Sequence, residues 1–292
     1  MMHTLSLADS NTFLIKLLQK GKPFFISRIG IGPETTLSCL YKQLGTLNAR
    51  YLPLIRRLDN NAGIYTKDGL NMQNIVDFCK RYMAAVENST ALAAFRTAMV
   101  KEQEFLRNKQ RPVLYSRILE PFYCSLEDIK PWSHCLLGKK VLIVNPFTDS
   151  MKKQLENGFQ IFKDPEKKLF MDGQKFIFYK TFVTNAGNHI HSSWLDTLDI
   201  MREDIRKLDF DVALLGCGGY GLPLCNYIYK DLNKSAIYVG GGLQLLFGIM
   251  GKRWENNAMW KKIIQENDAK FIRPSGDEVI KDKDRIEGGC YW

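Results

Sequence analysis

The feature that most constrains this chain is a glycine-rich turn between an apolar run and a helical pattern. The apolar run covers 210–215, the turn reads Gly-Cys-Gly-Gly-Tyr-Gly over 216–221, and the helical pattern continues over 222–232. A strand, a tight glycine turn and a helix bring free backbone N–H groups and the positive end of a helix dipole together, where an anion can bind. The segment therefore predicts a parallel α/β unit with a phosphate site, against the alternative of a glycine turn that binds nothing. The predicted phosphate-binding residues are Gly216, Gly218, Gly219, Tyr220 and Gly221.

The same run fits the GxGxxG pattern of dinucleotide-binding folds. Such folds hold the ribose with an acidic residue about 20 positions further on, at the end of the next strand. Here that strand covers 235–239 and continues into Gly240-Gly-Gly242 without a carboxylate. The pattern therefore indicates a nucleotide other than NAD, with Gly240 and Gly241 as a second glycine cluster at the site.

Apolar runs alternate with helical patterns along the chain. This alternation predicts an α/β fold with a Rossmann-like, mainly parallel sheet and flanking helices. We predict one domain over 1–292, with a helical insertion at about 45–110, a Rossmann-like half at about 138–265 and a charged, loosely ordered tail after about 265. Strands are predicted at 23–27, 112–116, 141–144, 176–182, 210–215 and 235–239, and helices at 70–86, 90–108 and 194–208.

Polar or glycine residues follow most of these strands, among them Asn145 and Asn185. In an open parallel sheet such positions meet at the carboxyl edge, where ligands bind. After the first strand the chain reads Arg28-Ile-Gly30-Ile-Gly-Pro-Glu34, a second strand–turn–helix unit. Arg28 is suited to a diphosphate and Glu34 to a divalent metal. The alternative for Glu34 is an acidic residue favoured at a helix start by the helix dipole.

A second glycine-rich segment runs from Gly240 to Gly251 and contains Gln244. It is followed by Lys252, Arg253 and Trp254. The two cations are suited to phosphate oxygens, and the indole to stacking on a base or a sugar ring. The alternative is an ordinary helix end with basic residues.

Several motifs resemble those of a known enzyme class. Arg28-x-Gly30-x-x-x-Glu34 resembles the arginine–glycine–acid motif of GT-D-type bacterial glycosyltransferases, and the position where those enzymes carry an aspartate reads Ile31 or Gly32. Further stretches resemble proteins of bacterial surface-polysaccharide gene clusters, and together the motifs cover roughly 23–254. These stretches lie at 116–121, 138–147, 184–188, 209–221 and 241–254.

The resemblance implies a GT-D-like fold and a glycosyltransferase of polysaccharide biosynthesis. Its donor would be a nucleotide sugar, UDP-linked, and its acceptor a glycan or a lipid-linked sugar. Glu34 would bind Mn²⁺ or Mg²⁺ or a sugar hydroxyl, and Glu120 would take the acceptor proton. For Glu120 the alternative is an ion pair with Arg117. The donor site would comprise Arg28, Gly30, Asn145, Asn185, the glycine turn 216–221 with Tyr220, Gly240, Gly241, Gln244, Lys252, Arg253 and Trp254.

Two other functions stay open at this point. One is a catalytically inactive module that binds a nucleotide sugar. The other is an oxidoreductase or methyltransferase with a nucleotide cofactor, against which the missing acid after 235–239 argues.

The charge distribution and the cysteine content limit the partners and the location that can be expected for this protein. Residues 1–140 carry 20 Lys and Arg against 11 Asp and Glu, whereas 141–292 carry 21 against 20. This asymmetry predicts peripheral contact with an anionic membrane or an acidic acceptor, or a merely solvated basic surface. No nucleic-acid motif is present, so we expect no nucleic-acid partner. Seven scattered cysteines and the lack of a signal peptide or membrane span predict reduced thiols and a cytoplasmic location.

Overall fold

The structure is a computed structural model that describes residues 4–30, 32–67, 71–94 and 111–292. Its centre is a seven-stranded sheet in the order β3-β2-β1-β7-β6-β4-β5. Every strand pair is parallel, which confirms the predicted α/β fold with a Rossmann-like parallel sheet. The strands are β1 Phe25–Arg28, β2 Ala91–Ala94, β3 Val113–Tyr115, β4 Lys140–Asn145, β5 Lys175–Lys180, β6 Val212–Leu215 and β7 Ser235–Tyr238.

Helices cover both faces of the sheet. Successive strand side chains point to opposite faces, so Phe25 packs into one core cluster and Ile26 into the other. Because both faces are buried, the central strands are mostly apolar. The first face carries α2 Pro33–Leu44, α3 Leu52–Ala62, α4 Met72–Asn88, α7 Trp194–Arg206 and α8 Gly221–Lys230. The second face carries α1 Leu7–Lys20, α5 Phe122–Leu126, α6 Thr148–Glu156, α9 Leu243–Leu246 and α11 Ala258–Asn267, and α10 Lys252–Glu255 precedes α11.

Neighbouring strands send the chain to opposite faces at two points of the sheet. After β1 the chain passes to α2 on the first face, whereas after the adjacent β7 it passes to α9 on the second. Likewise β6 leads to α8 and the adjacent β4 leads to α6. Such divergence opens a crevice at the carboxyl ends of the strands, which is where ligands bind in open α/β sheets.

The predicted helix at 90–108 is wrong at its start. Residues Ala91–Ala94 form β2, which pairs with β1 and β3. A short run of buried apolar residues has no alternation that would distinguish a central strand from a helix. Residues 95–108 of that predicted helix lie outside the described residues, and so does Ile31. The predicted insertion at 45–110 contains α3, α4 and β2.

The segment after 265 is folded, contrary to the prediction of a loosely ordered tail. Trp292 is 6 % exposed, and its indole N–H donates to the Glu278 carbonyl oxygen at 2.8 Å. The Glu278 carboxylate is itself buried and accepts the backbone N–H groups of Asp149 and Ser150, at 2.9 and 3.1 Å, at the start of α6. The charged composition of this segment reflects its outer side, while its aromatic and capping side chains tie it to the carboxyl edge of the sheet.

Two further expectations can be compared with the structure. All seven cysteines are free thiols, as their scattered spacing predicts. Within the described ranges, no helix has both the length and the apolar character needed to cross a membrane.

Candidate ligand-binding site

A cavity of about 460 Å³ opens at the carboxyl edge of the sheet, over the crevices beside β1, β7, β6 and β4. This volume lies within the roughly 300–1,000 Å³ that small-molecule sites usually enclose. Most of the residues predicted from the sequence line this one cavity. The glycines among them are Gly30, Gly216, Gly218, Gly219 and Gly241. The side chains among them are those of Arg28, Glu34, Asn145, Asn185, Gln244 and Arg253.

The glycine turn is compact because protein groups crowd it. A Cβ on Gly216 would lie 2.6 Å from the Gly240 carbonyl oxygen, and one on Gly219 would lie 2.8 Å from the Ala62 carbonyl oxygen. Gly218 has a φ of 58°, in the left-handed region that favours glycine. The turn therefore lets α3 and the end of β7 approach closely. The first N–H groups of α8, the helix that follows the turn, have no partner within that helix, as at any helix start. Gly218 and Gly219, which precede α8, line the cavity.

Three predicted residues support the cavity from behind. Tyr220 is 1 % exposed, and its hydroxyl donates to the Gly63 carbonyl oxygen at 3.0 Å and lies 2.8 Å from the Thr184 hydroxyl. Gly221 leaves room for the ring of Tyr238, and Gly240 for the guanidinium of Arg28. Gly240 has a φ of 77°, in the left-handed region that favours glycine. Its lack of a side chain also leaves the space that the Arg28 guanidinium occupies. None of the three is among the residues that line the cavity.

Three other predicted residues lie away from the cavity lining. Lys252 forms an ion pair with Asp284 at 2.8 Å. Trp254 packs against Tyr291, with 6.2 Å between the ring centroids. Glu120 forms an ion pair with Arg117 at 3.6 Å, which is the alternative that the sequence left open.

Three amide side chains of the lining hydrogen-bond to backbone groups of the cavity wall. Asn145 donates to the Gly216 carbonyl oxygen at 2.9 Å and accepts the backbone N–H of Phe147 at 2.9 Å, so it links β4 to β6. Asn185 donates to the Asn61 carbonyl oxygen at 2.7 Å. Gln244 donates to the Tyr291 carbonyl oxygen at 3.0 Å. These bonds fix the walls of the cavity before any ligand arrives.

Thr181 offers an unpaired polar group. It is 6 % exposed, lines the cavity, and its hydroxyl has no hydrogen-bond partner among the described residues. A buried polar atom without a partner costs free energy unless a water or a ligand satisfies it. The Thr181 hydroxyl is therefore a candidate contact for a polar ligand.

Three arginines give the cavity a basic character. Arg28 comes from the end of β1, Arg57 from α3 and Arg253 from α10. Arg253 lies over the ring of Tyr291, with 4.6 Å from its Cζ to the ring centroid. Guanidinium groups bind phosphates through paired N–H donors, so three of them around one cavity favour an anionic ligand.

Glu34 is the predicted carboxylate that lines the cavity. It lies in the first turn of α2, folds back against Gly32 and interacts with its own backbone N–H. Burial raises the pKa of Glu34 above its ordinary value, and the charge of Glu287 adds to that rise. Its own backbone N–H, Arg28 and Arg57 offset part of the increase. A carboxyl group with a raised pKa in a cleft is typical of functional sites.

The pKa of Glu120 is also raised, because burial disfavours its carboxylate, and Arg28 and Arg117 oppose the rise. Glu120 lies against Gly242, so its carboxylate approaches the glycine segment rather than the cavity lining. The charge of Arg28 acts on Glu120 from the neighbouring end of β1.

The possibility of a metal site can be judged from the donor set. Within the part of the chain that the structure describes, no group of three His, Cys, Asp or Glu residues is placed to hold a metal ion. Glu34 and Glu287 are the carboxylates of the lining. Mg²⁺ is commonly held by one or two carboxylates together with substrate phosphates and water, so Glu34 suits a cation that arrives with its ligand.

Sequence reasoning missed several lining residues, among them Arg57, Tyr238, Glu287 and Tyr291. Tyr238 ends β7 and donates to the Gly218 carbonyl oxygen at 2.9 Å. Its position two residues before the second glycine cluster, at the end of a strand, was a usable signal. Arg57 and the residues after 285 reach the site only through tertiary packing, and no local sequence pattern predicts their position there.

Comparison with known proteins adds no identification. No known protein family matches the chain, and no curated protein sequence matches it significantly. The chain is thus defined by its own geometry as a Rossmann-like α/β protein with a basic, glycine-lined cavity at the carboxyl edge of the sheet.

Proposed function

We propose that this protein is a glycosyltransferase that takes a sugar from a nucleotide donor, UDP-linked, and transfers it to a glycan or lipid-linked acceptor of polysaccharide biosynthesis. One observation carries the proposal: Arg28, Arg57 and Arg253 line a single cavity that also contains the glycine turn before α8. Guanidinium groups and a helix start are the two elements that proteins most often combine to bind a diphosphate.

The helix starts at this edge differ in their capacity for an anion. The start of α6 is already neutralised by the Glu278 carboxylate, and that of α2 carries Glu34. The first turn of α8 contains no acidic residue. The phosphates are therefore expected at the Gly218–Gly219 turn, within reach of the arginines of the lining.

Transfer breaks the bond between the anomeric carbon and the diphosphate and forms a bond to the acceptor oxygen. Arg28 and Arg253 would stabilise the negative charge that develops on the leaving diphosphate. The acceptor hydroxyl must lose its proton, and Glu34 is better placed for this than Glu120 because it lines the cavity. Glu34 is equally suited to hold Mn²⁺ or Mg²⁺ together with phosphate oxygens. Activity in EDTA separates these two roles.

The acceptor side is proposed from charge. Arg56 and Arg50 are exposed, on and just before α3, the helix that brings Arg57 to the cavity. An anionic membrane that attracts this basic surface would present a lipid-linked acceptor near the opening. Part of the basic excess, including Arg107 and Lys109, lies outside the described residues.

A catalytically inactive nucleotide-sugar-binding module is the second candidate. It is favoured by the position of Glu120 outside the cavity lining and by the absence of a three-ligand metal cluster in the described ranges. A nucleotide-cofactor oxidoreductase or methyltransferase is less favoured, because Tyr238 occupies the end of β7 where such folds place an acid.

Calorimetric titration with UDP-sugars, NAD and S-adenosylmethionine tests the proposed ligand class. We expect binding of UDP-sugars only, and a loss of about 10- to 100-fold in affinity for Arg28→Gln, which removes a charge-assisted contact. Arg56→Gln is the matched control, because Arg56 is exposed and does not line the cavity. Equal losses in both variants, or tighter binding of NAD, would contradict the proposal.

A further inference from the structure

The side chain of Arg253 is held by residues of one segment near the end of the sequence. Its guanidinium forms an ion pair with Glu287, donates to the Tyr291 hydroxyl at 3.2 Å and lies 3.1 Å from the Cys290 sulfur. These partners belong to residues 284–292, which we call the closing segment. One cation of the cavity is therefore engaged by the protein's own carboxylate.

Glu287 is an unusual residue for the wall of an anion site. It lines the cavity with Arg253, and its charge also acts on Glu34. Glu287, Gly288 and Gly289 have φ values of 48°, 73° and 76°, so three successive residues adopt the left-handed region. A glutamate rarely adopts this conformation, and such backbone strain is concentrated at ligand clamps and switches.

We propose that Glu287 is an internal counter-anion that occupies Arg253 in the ligand-free protein and yields it to a phosphate group of the ligand. This inference rests on the phosphate-bearing ligand of the proposed function. It adds a role in ligand selection for a residue of the closing segment.

The exchange requires a weak internal pair, and the pair between Arg253 and Glu287 is weak. The two side chains are 35 % and 52 % exposed, and ion pairs with this much solvent contact contribute little to stability. A phosphate offers Arg253 a more highly charged acceptor that suits both arms of the guanidinium. The pair is therefore weak enough to be replaced by a phosphate group.

The rest of the closing segment stays anchored when the pair opens. Trp292 donates to the Glu278 carbonyl oxygen at 2.8 Å, and Gln244 donates to the Tyr291 carbonyl oxygen at 3.0 Å. A change of the Glu287 side chain is thus sufficient, and the segment keeps its place over the cavity. Ligands with one negative charge compete poorly with Glu287, whereas a diphosphate has the charge to displace it and to engage Arg28 as well.

The test is calorimetric titration of the full chain with inorganic pyrophosphate and with UDP, without any acceptor. Glu287→Gln keeps the size and removes the competing charge. We expect it to bind both probes about fivefold more tightly, the ratio that corresponds to removing about 1 kcal/mol of competition. Asp284→Asn is the matched control. It also removes a charge from the closing segment, but it breaks an ion pair with Lys252, which does not line the cavity. It should leave both affinities unchanged.

Each outcome decides the proposal. The proposal is supported if Glu287→Gln binds the probes more tightly and Asp284→Asn does not. It is also supported if Glu287→Gln binds a probe that the wild type does not bind. Equal affinities in Glu287→Gln and Asp284→Asn overturn the counter-anion role and leave the proposed function standing. Weaker binding of Glu287→Gln that depends on Mn²⁺ overturns it too and makes Glu287 a metal ligand beside Glu34. No binding by any variant overturns both this inference and the proposed ligand class.

Discussion

Gly240→Ala should weaken ligand binding although Gly240 does not line the cavity. An added Cβ at this position would overlap the guanidinium of Arg28, whose Cζ would lie 2.9 Å away. Arg28 would have to leave its place at the end of β1. Losing its charge-assisted contacts to a diphosphate costs about 1.5–3 kcal/mol, or roughly 10- to 100-fold in affinity. The φ of 77° adds a separate cost to folding, about 1–2 kcal/mol for an L-residue in the left-handed region.

Gly30→Ala is the control for this experiment. Gly30 lines the same cavity, its φ is outside the left-handed region, and a Cβ there would meet no atom within 4 Å. Chemical denaturation gives the stability of each variant, and calorimetry with UDP gives the affinity. If folded Gly240→Ala bound UDP as tightly as the wild type, the cavity position of Arg28 would not matter for binding.

Three further predictions follow from the site and its surroundings. Glu34→Gln should slow transfer by about 100-fold or more, since a general base or cation ligand is lost. Because the folded-state pKa of Glu34 is raised, ionised Glu34 destabilises the fold. The variant should therefore have a higher melting temperature than the wild type at pH 7. This difference should vanish below about pH 4, where Glu34 is protonated in both the folded and the unfolded state, and a pH series of melting curves would detect it. Tyr220→Phe should cost about 1 kcal/mol of stability through its lost hydroxyl contacts and leave UDP affinity unchanged; a lost affinity would instead place Tyr220 at the ligand. Binding to anionic liposomes should fall steeply with salt in sedimentation assays, and equal binding to neutral liposomes would leave only a solvated basic surface.

The sheet was largely predictable because its strands are apolar runs. A strand buried on both faces needs continuous apolar residues, and 141–144 and 212–215 show this plainly. Ala91–Ala94 was missed because a four-residue apolar run next to a helical pattern has no alternation that marks a strand. Its place in the sheet is decided by pairing with β1 and β3, which are distant in sequence.

The convergence of these residues on one cavity was predictable, whereas the contacts that each of them makes were not. Residues that follow parallel strands must meet at one edge, so Arg28, Asn145 and Gly216 were brought together as expected. A glycine needed by a ligand and one needed by a neighbouring side chain look alike in sequence. Gly221 and Gly240 are of the second kind, since they make room for Tyr238 and Arg28. Glu287 reaches the cavity through packing between distant segments, which no local pattern encodes.

Glycosyl transfer can be detected by mass spectrometry of the products formed when the protein is incubated with a panel of UDP-sugars and acceptor glycans. We expect an acceptor heavier by one sugar residue, together with released UDP, and little of either product with Glu34→Gln. Nucleotide-sugar binding without released UDP or product across the panel would contradict glycosyl transfer and leave a binding module.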